Sequence, residues 1–226
     1  MGEREPVVTI DGPASAGKGT VARALAGRLH YRLLDTGAMY RALACSVARA
    51  GLGAEPGAAL RQHLDAVDVQ VRGERVYLDG RDVTDEIRTP EISALTSRLS
   101  ALPLVRDKLT PLQRALTGTG GVVLEGRDTG TVVCPDAEVK FYLVASVEER
   151  ARRRHAELAA RGVAANLTAV RAEIVTRDEQ DAGRALAPLR KAPGAVEIDT
   201  TALSVEQVVE RMLNVIDERK RCCTRS

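Results

Sequence analysis

The sequence predicts an α/β fold in which a parallel central sheet lies between two layers of helices. Short apolar runs rich in Val, Leu and Ile alternate along the chain with longer segments whose apolar residues recur at helical spacing. Strands that alternate with helices form parallel sheets through right-handed crossover connections. No internal repeat or low-complexity linker interrupts the pattern, so the 226 residues predict one domain that spans 1–226.

The apolar runs are the predicted strands of this sheet, and the periodic segments between them are its predicted helices. The strands fall at residues 6–11, 31–34, 121–124, 138–144 and 195–198. The helices fall at residues 20–29, 36–50, 91–117, 146–161, 166–184 and 204–219. Asp35 or Thr36 can cap the second helix, whereas Pro103 and Pro111 are expected to break the third.

Residues 56–90 show a different periodicity, in which apolar and polar residues alternate as they do in strands. The alternating apolar positions are Val67, Val69, Val71, Val76 and Leu78. Gly73 separates two such runs and Asp79-Gly80 follows the second, which is the pattern of a β-hairpin, and a third strand is expected near Val83. The segment therefore predicts a small antiparallel insert within the α/β domain.

The composition limits the kinds of partner that the protein can have. Lys and Arg number 33 against 31 Asp and Glu, and the chain has no Trp, one Phe and four Tyr. This near-neutral charge and the scarcity of aromatic rings argue against a nucleic-acid-binding protein. No stretch approaches the roughly 20 apolar residues of a membrane span, and residues 1–6 carry no apolar signal region. We expect a cytoplasmic monomer that acts on small molecules, with no nucleic-acid or membrane partner.

The cysteines and histidines show no metal-binding pattern. The four cysteines form no Cys-x-x-Cys pair and have no metal-ligand spacing with the three histidines, so reduced thiols are expected and no residue is assigned as a metal ligand. Cys222 and Cys223 belong to a basic C-terminal segment, in which we expect disorder rather than function.

Residues 12–20 carry the strongest chemical signal in the chain. They have the Gly-x-x-x-x-Gly-Lys spacing between a predicted strand and a predicted helix, which is the context of a phosphate loop (P-loop). Glycines let successive backbone amides face phosphate oxygens, and the N-terminus of the following helix favours the same anion. Lys18 supplies a positive charge for the outer phosphates, and Thr20 can offer its hydroxyl to Mg²⁺ or to a phosphate. The loop predicts binding of a nucleoside triphosphate by Gly12, Pro13, Ala14, Ser15, Ala16, Gly17, Lys18, Gly19 and Thr20.

Gly19 narrows the class of enzyme. It replaces the Ser or Thr that usually follows the lysine, and the resulting Gly-Lys-Gly-Thr resembles the loop of nucleoside monophosphate kinases. GTPases and motor ATPases normally keep that hydroxyl for magnesium, and no Asn-Lys-x-Asp guanine-reading motif occurs. A monophosphate kinase must hold a second anion beside the first, a task suited to arginine. Arg41, Arg106 and Arg127 are the candidates.

Four further segments resemble the signatures of bacterial cytidylate kinases. They are Leu34-Asp-Thr-Gly-Ala-Met-Tyr-Arg41, Glu86-Ile-Arg-Thr-Pro90, Glu125-Gly-Arg-Asp-Thr-Gly-Thr-Val-Val-Cys-Pro-Asp-Ala137 and Val147-Glu-Glu-Arg-Ala-Arg-Arg-Arg154. Together with the phosphate loop, they make the match far more specific than the loop alone. The resemblance implies a P-loop three-layer fold with a monophosphate-binding insert at about 56–90 and a helical lid at about 150–184. Thr36 stands where relatives often have Ser, and Glu125 where they often have Asp, but neither removes a group that the chemistry needs.

The resemblance implies roles for four residues that come before the Glu125 segment. Thr36, Arg41 and Arg106 match positions that hold the acceptor phosphate or the neighbouring sugar. Ser97 and Arg106 match positions that lie against the cytosine. These residues form one half of the expected acceptor site.

The other half of the expected acceptor site lies further along the chain. Arg127 and Asp128 match a pair near the cytosine and the acceptor phosphate, and Asp181 matches a residue that holds the ribose hydroxyls. Arg177 and Arg184 match cations of the lid and the acceptor site. A carboxylate together with Arg and Ser suits cytosine, whose edge offers an amino donor and two acceptors.

The implied activity is transfer of the γ-phosphoryl group of Mg·ATP to CMP and dCMP. The acceptor oxygen is already an anion, so catalysis depends on positioning and on cations rather than on a general base. The candidate catalytic residues are Lys18, Arg127, Asp128 and Arg184. Two alternatives stay open: another acceptor such as UMP, AMP or shikimate, and an ATP-binding regulatory module without transfer activity.

Two features have competing interpretations. Arginines crowd the predicted helix 146–161 at Arg150, Arg152, Arg153 and Arg154. Such a run is usually a solvated face, and we expect that of one or two of them, whereas the resemblance places Arg153 or Arg154 near the donor phosphates. Asp11, which precedes the phosphate loop, can pair with Lys18 or an arginine or can cap a turn.

Overall fold

The computed structural model describes residues 4–118 and 120–223, and within them a five-stranded parallel sheet and a small antiparallel sheet provide the framework. The strands are β1 Val7–Asp11, β2 Arg32–Asp35, β3 Val69–Arg72, β4 Arg75–Leu78, β5 Arg81–Asp82, β6 Val122–Glu125, β7 Val139–Val144 and β8 Val196–Asp199. The helices are α1 Lys18–Leu29, α2 Thr36–Arg49, α3 Ala58–Ala66, α4 Pro90–Leu99, α5 Pro103–Thr117, α6 Val147–Ala160, α7 Leu167–Ala182 and α8 Val205–Cys223. A 3₁₀ turn at Glu86–Arg88 and a π-helical turn at Thr129–Val133 complete them.

The parallel sheet has the order β2-β6-β1-β7-β8, with β1 at its centre. Val8 of β1 lies opposite Val123 on one side and Val139 on the other. In β2 and β6 the two last residues, Asp35 and Glu125, are register partners. The carboxyl ends of these strands therefore meet at one edge of the sheet, where open α/β folds bind their ligands.

Each face of the sheet is covered by its own apolar cluster, as the three-layer prediction requires. One cluster joins α2, α4, α5 and the small sheet and includes the fully buried Leu43 and Leu109. The other joins α1 and α8 to the opposite face around Leu25, Phe141 and Met212. Burial of such side chains, at about 25 cal/mol per Å² of apolar surface, is the main force that holds the layers together.

The small antiparallel sheet confirms the hairpin and the third strand predicted within residues 56–90, but the segment also contains a helix that was not predicted. Helix α3 buries Leu60 and Leu64, which are spaced one helical turn apart. Asp35 caps α2, its side chain accepting a hydrogen bond from the Ala38 amide at 2.7 Å.

Proline acts differently at two positions in the fold. Pro103 begins α5, so the predicted break before it is confirmed, whereas the break predicted at Pro111 is wrong. Pro111 lies on the exposed side of α5 while Val105 and Leu109 are fully buried on the other side. Burial of that face offsets the roughly 3 kcal/mol that an interior proline costs a helix.

The C-terminal segment continues the last helix. The disorder predicted around Cys222 and Cys223 is wrong for their backbone, which completes α8, while their side chains lie outside the described part of the molecule. Lys220 and Arg221 in the last turn favour this ending because cations stabilise the negative end of a helix dipole. Across residues 4–118 and 120–223, none of the helices combines the length and apolar content needed to cross a membrane.

Candidate active site

The phosphate loop connects β1 to α1 and depends on glycine at two positions. Gly12 has φ +147°, and a Cβ atom there would lie 2.1 Å from the Leu143 carbonyl oxygen. Gly17 has φ +87° and immediately precedes the first residue of α1. A side chain at either position would distort the loop, since L residues rarely adopt this conformation and Gly12 has no space for one.

Lys18 is a buried cation at the base of this loop. It is 5% exposed, and its Nζ donates a hydrogen bond to the Pro13 carbonyl oxygen at 2.7 Å. Burial and the nearby Arg127 lower its pKa to about 7 despite the opposing effect of Glu125 and Asp11. Burial disfavours the charged form of Lys18 when the loop is empty. An anion bound in the loop would stabilise that charged form.

Asp11 caps a turn rather than pairing with a cation. Its carboxylate accepts hydrogen bonds from the Thr129 amide at 2.9 Å, the Thr129 hydroxyl at 2.8 Å and the Gly130 amide at 2.7 Å. Of the three interpretations of Asp11, the structure supports the cap. The carboxylate thereby fixes the π-helical turn directly after Asp128 to the start of the phosphate loop.

The phosphate loop forms one wall of a polar cleft of about 450 Å³. Six of the nine predicted triphosphate-binding residues line it: Ala14, Ser15, Gly17, Lys18, Gly19 and Thr20. Gly12, Pro13 and Ala16 do not line the cleft. Arg153 and Arg154 of α6 also line the cleft, and the Arg153 guanidinium lies beside Gly17 of the loop.

The arginines of α6 divide into different roles. Arg152 is exposed, as expected for one or two of them, and pairs with Glu149. Arg150 is buried instead, where it donates to the Ala14 carbonyl oxygen at 3.2 Å and pairs with Asp178 of α7. Arg150 therefore joins the phosphate loop to both α6 and α7, which the charge run in the sequence did not reveal.

Arg153 is fixed within the wall of the cleft. Its guanidinium donates to the Thr200 hydroxyl at 3.0 Å and to the Thr200 carbonyl oxygen at 2.6 Å, and its Nε pairs with Glu149. Arg154 pairs with Glu157 at 3.0 Å.

A second, smaller pocket adjoins the cleft, and every predicted acceptor-site residue lines it. These residues are Thr36, Arg41, Ser97, Arg106, Arg127, Asp128, Arg177, Asp181 and Arg184. They come from α2, α4, α5, the segment after β6, and the end of α7 and the loop after it. Residues almost 150 positions apart in the chain thus meet around one pocket of about 70 Å³.

Two buried clusters of opposite charges shape this pocket. Arg106 donates to the Asp128 carboxylate at 2.7 Å and to the Ser100 carbonyl oxygen at 2.8 Å, with its guanidinium 5.8 Å from the centre of the Tyr40 ring. Asp181 pairs with both Arg127, at 3.1 Å, and Arg184. Hydrogen-bonded pairs of this kind keep buried charges in fixed orientations.

Ser97 marks the point where α4 faces α7. The Ser97 carbonyl oxygen accepts a hydrogen bond from Arg184 at 3.4 Å, and its hydroxyl lies 3.5 Å from Gln180 of α7. The wall of the pocket formed by α4 is thereby linked to α7.

Two further carboxylates belong to the site: Asp35 lines the cleft, and Glu125 lines both cavities. Neither was predicted from the sequence as a site residue. Asp35 pairs with Arg41 at 2.8 Å, and the Glu125 carbonyl oxygen accepts a hydrogen bond from the Thr36 hydroxyl at 2.7 Å. Burial and the Asp35 carboxylate raise the pKa of Glu125 to about 7, against the effect of Lys18. The signal available in the sequence was their position at the ends of neighbouring parallel strands.

Arg177 is a buried cation that is only partly compensated, by the nearby Asp181. Its buried Nε atom has no hydrogen-bond partner among the residues that the structure describes, and burial together with nearby Arg127 lowers its pKa to about 10. Arg41, Arg127, Arg177 and Glu125 line both cavities. The junction therefore concentrates positive charge where two phosphate groups could approach each other.

Comparison with known proteins places the chain in one family. The cytidylate kinase family model matches residues 8–218. The cytidylate kinase of Geobacter sulfurreducens is 52% identical over 97% of this chain and 96% of its own length, and that of Symbiobacterium thermophilum is 50% identical over 94% and 96%. A solved structure from Eubacterium ventriosum, described as an uncharacterized protein, shares the fold at 10% identity, with a TM-score of 0.51 over 96% of this chain and 99% of its own. The chain belongs to the cytidylate kinase family.

Proposed function

We propose that the protein transfers the γ-phosphoryl group of Mg·ATP to the 5′-phosphate of CMP and dCMP, giving the corresponding diphosphate and ADP. One observation carries this proposal: the phosphate-loop cleft adjoins a pocket lined by all nine predicted acceptor-site residues, and Arg41, Arg127 and Arg177 line both cavities. The names of the relatives, which match this chain over nearly its full length, point to the same acceptor.

ATP binds with its phosphates in the cleft, held by the loop amides, Lys18 and the N-terminus of α1. Magnesium fits this site as an ion held chiefly by phosphate oxygens and water, because Mg²⁺ binds with few protein ligands in such sites. Thr20, Asp35 and Glu125 line the cleft and supply the hydroxyl and carboxylate oxygens that such an ion and its water shell require. Bound there, the ion would neutralise charge on the phosphates.

CMP occupies the smaller pocket, in which the paired side chains read its polar groups. Asp128 can accept a hydrogen bond from the cytosine amino group, while Arg106 and Ser97 can donate to the acceptor atoms of the base. Asp181 accepts from the ribose hydroxyls, with Arg127 and Arg184 held beside it. The base and sugar thus meet oriented groups whose charges are already balanced.

The phosphate of CMP reaches the junction of the two cavities, where Thr36, Arg41 and Arg177 hold it in line with the donor. Lys18, Arg127 and Arg184 stabilise the negative charge of the group in transfer, a contribution that can reach about 10³-fold in rate for one arginine. Asp128 acts by keeping Arg106 and the base in place. No general base is required because the attacking oxygen is anionic.

The proposal includes the domain organisation. Residues 1–226 form one kinase domain, residues 56–90 a monophosphate-binding insert and residues 150–184, mainly α6 and α7, a lid. Closure of the lid would exclude water, which would otherwise hydrolyse ATP. We also propose that the enzyme is a cytoplasmic monomer without nucleic-acid or membrane partners, consistent with its charge of +2.

The test is an ADP-release assay with ATP and equal concentrations of CMP, dCMP, UMP, AMP and GMP. We expect CMP and dCMP to give the highest kcat/KM. Equal rates with AMP would contradict the cytidine assignment. ADP release that no acceptor stimulates would contradict phosphoryl transfer altogether.

A further inference from the structure

Arg88 ends the 3₁₀ turn that connects the small sheet to α4, and the proposed chemistry above leaves it without a role. Its backbone is fixed on both sides. Ile87, the preceding residue, is fully buried in the core around α2, and Thr89, the following residue, caps α4 by accepting from the Ile92 amide at 3.2 Å. The position of Arg88 is therefore determined by the fold and not by its own side chain.

Arg88 differs from the other arginines around this turn. Arg49 and Arg81 both pair with Glu86. Arg88 is half-buried, and its guanidinium has no hydrogen-bond or ion-pair partner within residues 4–118 and 120–223. A partly desolvated cation that forms no direct ion pair gains from binding an anion.

The cavity that Arg88 faces identifies the anion. Arg88 lines the phosphate-loop cleft together with Lys18, and it does not line the acceptor pocket. Burial would raise the pKa of Asp35, but Arg41, with hydrogen bonds and a longer-range contribution from Arg88, lowers it. The guanidinium is thus close enough to influence the carboxylate at the junction of the two cavities.

We propose that Arg88 binds the terminal phosphoryl group of the triphosphate, so that residues 56–90 contribute to the donor site as well as to the acceptor site. The inference rests on the proposed function for the identity of the triphosphate as a phosphoryl donor. Helix α4, which follows Arg88 directly, carries Ser97 of the acceptor pocket. One connected segment therefore carries a residue of each cavity.

The contact between Arg88 and α6 supports this placement. Arg161, directly after α6, donates to the Arg88 carbonyl oxygen at 2.9 Å and pairs with Glu157 at 3.1 Å. Arg88 therefore lies where the 3₁₀ turn meets the α6 segment across the mouth of the cleft. Because this contact uses the main chain, a side-chain substitution at position 88 leaves it in place.

The experiment compares Arg88→Met and Arg88→Lys with Arg72→Met, a change at an exposed residue of β3 in the same insert. Binding of a non-hydrolysable ATP analogue and of ADP is measured by calorimetry, and kcat and KM by the ADP-release assay. We expect Arg88→Met to bind the triphosphate analogue about tenfold more weakly and to bind ADP within about threefold of the wild type. Its kcat/KM for ATP should fall about 10²-fold, with KM for CMP nearly unchanged. For Arg88→Lys, the affinity for the triphosphate analogue and kcat/KM for ATP should lie between the values of the wild type and those of Arg88→Met.

Two results would overturn the inference. One is equal weakening of ATP-analogue and ADP binding, which would show that Arg88 does not contact the terminal phosphoryl group. The other is an affinity of Arg88→Met for the ATP analogue equal to that of Arg72→Met, which would show that Arg88 is a solvated cation without a role in binding. A wild-type protein that fails to phosphorylate CMP refutes the proposed function alone, since the comparison of the analogue with ADP still tests the phosphate contact.

Discussion

Lys18 of the phosphate-loop cleft differs from three arginines of the acceptor pocket in the groups that balance its charge. In the acceptor pocket, Arg106 pairs with Asp128, while Arg127 and Arg184 share Asp181. In the phosphate-loop cleft, Lys18 has only the Pro13 carbonyl oxygen as hydrogen-bond acceptor among the residues described. Pairing fixes a side chain so that it can read neutral groups such as a base or a sugar. An uncompensated cation instead gains most from an anion.

The largest effect is expected on substitution of Lys18, whose ammonium group donates its hydrogen bond to a neutral carbonyl oxygen. Lys18→Met should lower kcat by about 10³-fold or more, since it removes a charge that stabilises the transferring phosphoryl group. The folded protein should lose no stability in the absence of nucleotide. The pKa of Lys18 is about 7 when folded, against 10.5 for the ordinary side chain, so its burial opposes folding fully below pH 7 and progressively less as the pH rises to 10.5.

The measurements for Lys18→Met are turnover with ATP and CMP, and urea unfolding at pH 8. Lys191→Ala is the matched control, because Lys191 forms an exposed pair with Glu197 away from both cavities. Turnover within tenfold of the wild type would refute the role of Lys18. A large loss of stability would show that the buried charge is compensated in the folded protein.

A smaller effect is expected on substitution of Asp181, the carboxylate that Arg127 and Arg184 share. Asp181→Asn leaves Arg127 and Arg184 without their shared carboxylate. We expect kcat/KM for CMP to fall about 10²-fold, because loss of one partner of a buried charge pair costs roughly 2–5 kcal/mol. Calorimetry with the ATP analogue should show donor affinity within about threefold of wild type, which is the result that separates the two cavities.

Glu179→Gln is the control for Asp181→Asn, because Glu179 is exposed on the same helix. A parallel loss of ATP-analogue and CMP affinity in Asp181→Asn would mean that the carboxylate supports α7 as a whole. The proposed division between a donor and an acceptor site would then be wrong at this residue.

The residues of the two cavities could be predicted from the amino-acid sequence to different extents. Residues 12–20 act as one continuous segment, so spacing alone indicates the turn and its ligand. The acceptor pocket is assembled from α2, α4, α5, the segment after β6 and the region of α7, and no local pattern relates Arg106 to Asp128. Arg106 was a candidate phosphate-binding arginine from the sequence itself, whereas only the family resemblance predicted Asp128 as a site residue. Their pairing with one another emerged from the fold.

The unpredicted features have the same physical origin. Helix α3 depends on the burial of Leu60 and Leu64 against the core, and α5 continues through Pro111 because its opposite face is buried. Arg150 reads in the sequence as one of several surface arginines, yet contacts with Ala14 and Asp178 bury it. Tertiary packing overrides local propensity in each case.

Recognition of the base tests the pair formed by Arg106 and Asp128. Asp128→Asn replaces an acceptor of the cytosine amino group with an amide that can also donate to the O4 atom of uracil. We expect the ratio of kcat/KM for CMP to that for UMP to fall about tenfold or more, in line with the roughly 1–3 kcal/mol that one base-reading contact contributes.

The ADP-release assay with both acceptors measures this ratio for Asp128→Asn. Asp217→Asn, an exposed change on α8, is its control. Equal losses with CMP and UMP would show that Asp128 serves only to hold Arg106. An unchanged ratio and an unchanged rate would remove it from the site.

The smallest effect concerns Glu125, which lies at the junction of the two cavities. Its pKa is raised to about 7 from 4.5 by burial and by Asp35, so the folded protein binds more protons than the unfolded chain between these pH values. The stability contributed by Glu125 is present below pH 4.5 and is lost as the pH rises through 7. Relative to Glu125→Gln, the wild type should lose free energy of unfolding over this range, at a rate of at most about 1.4 kcal/mol per pH unit.

Urea unfolding of both proteins from pH 4.5 to pH 8, without nucleotide, measures this difference, and Glu218→Gln on the exposed face of α8 is the control. A difference that stays constant with pH would mean that Glu125 is ionised throughout, stabilised by Lys18 and Arg127. Lys18 would then be balanced by Glu125, as Arg106 is balanced by Asp128. A difference that follows the expected slope would show that Glu125 is protonated in the nucleotide-free protein near neutral pH, and that its ionised form requires an additional positive charge such as that of Mg²⁺.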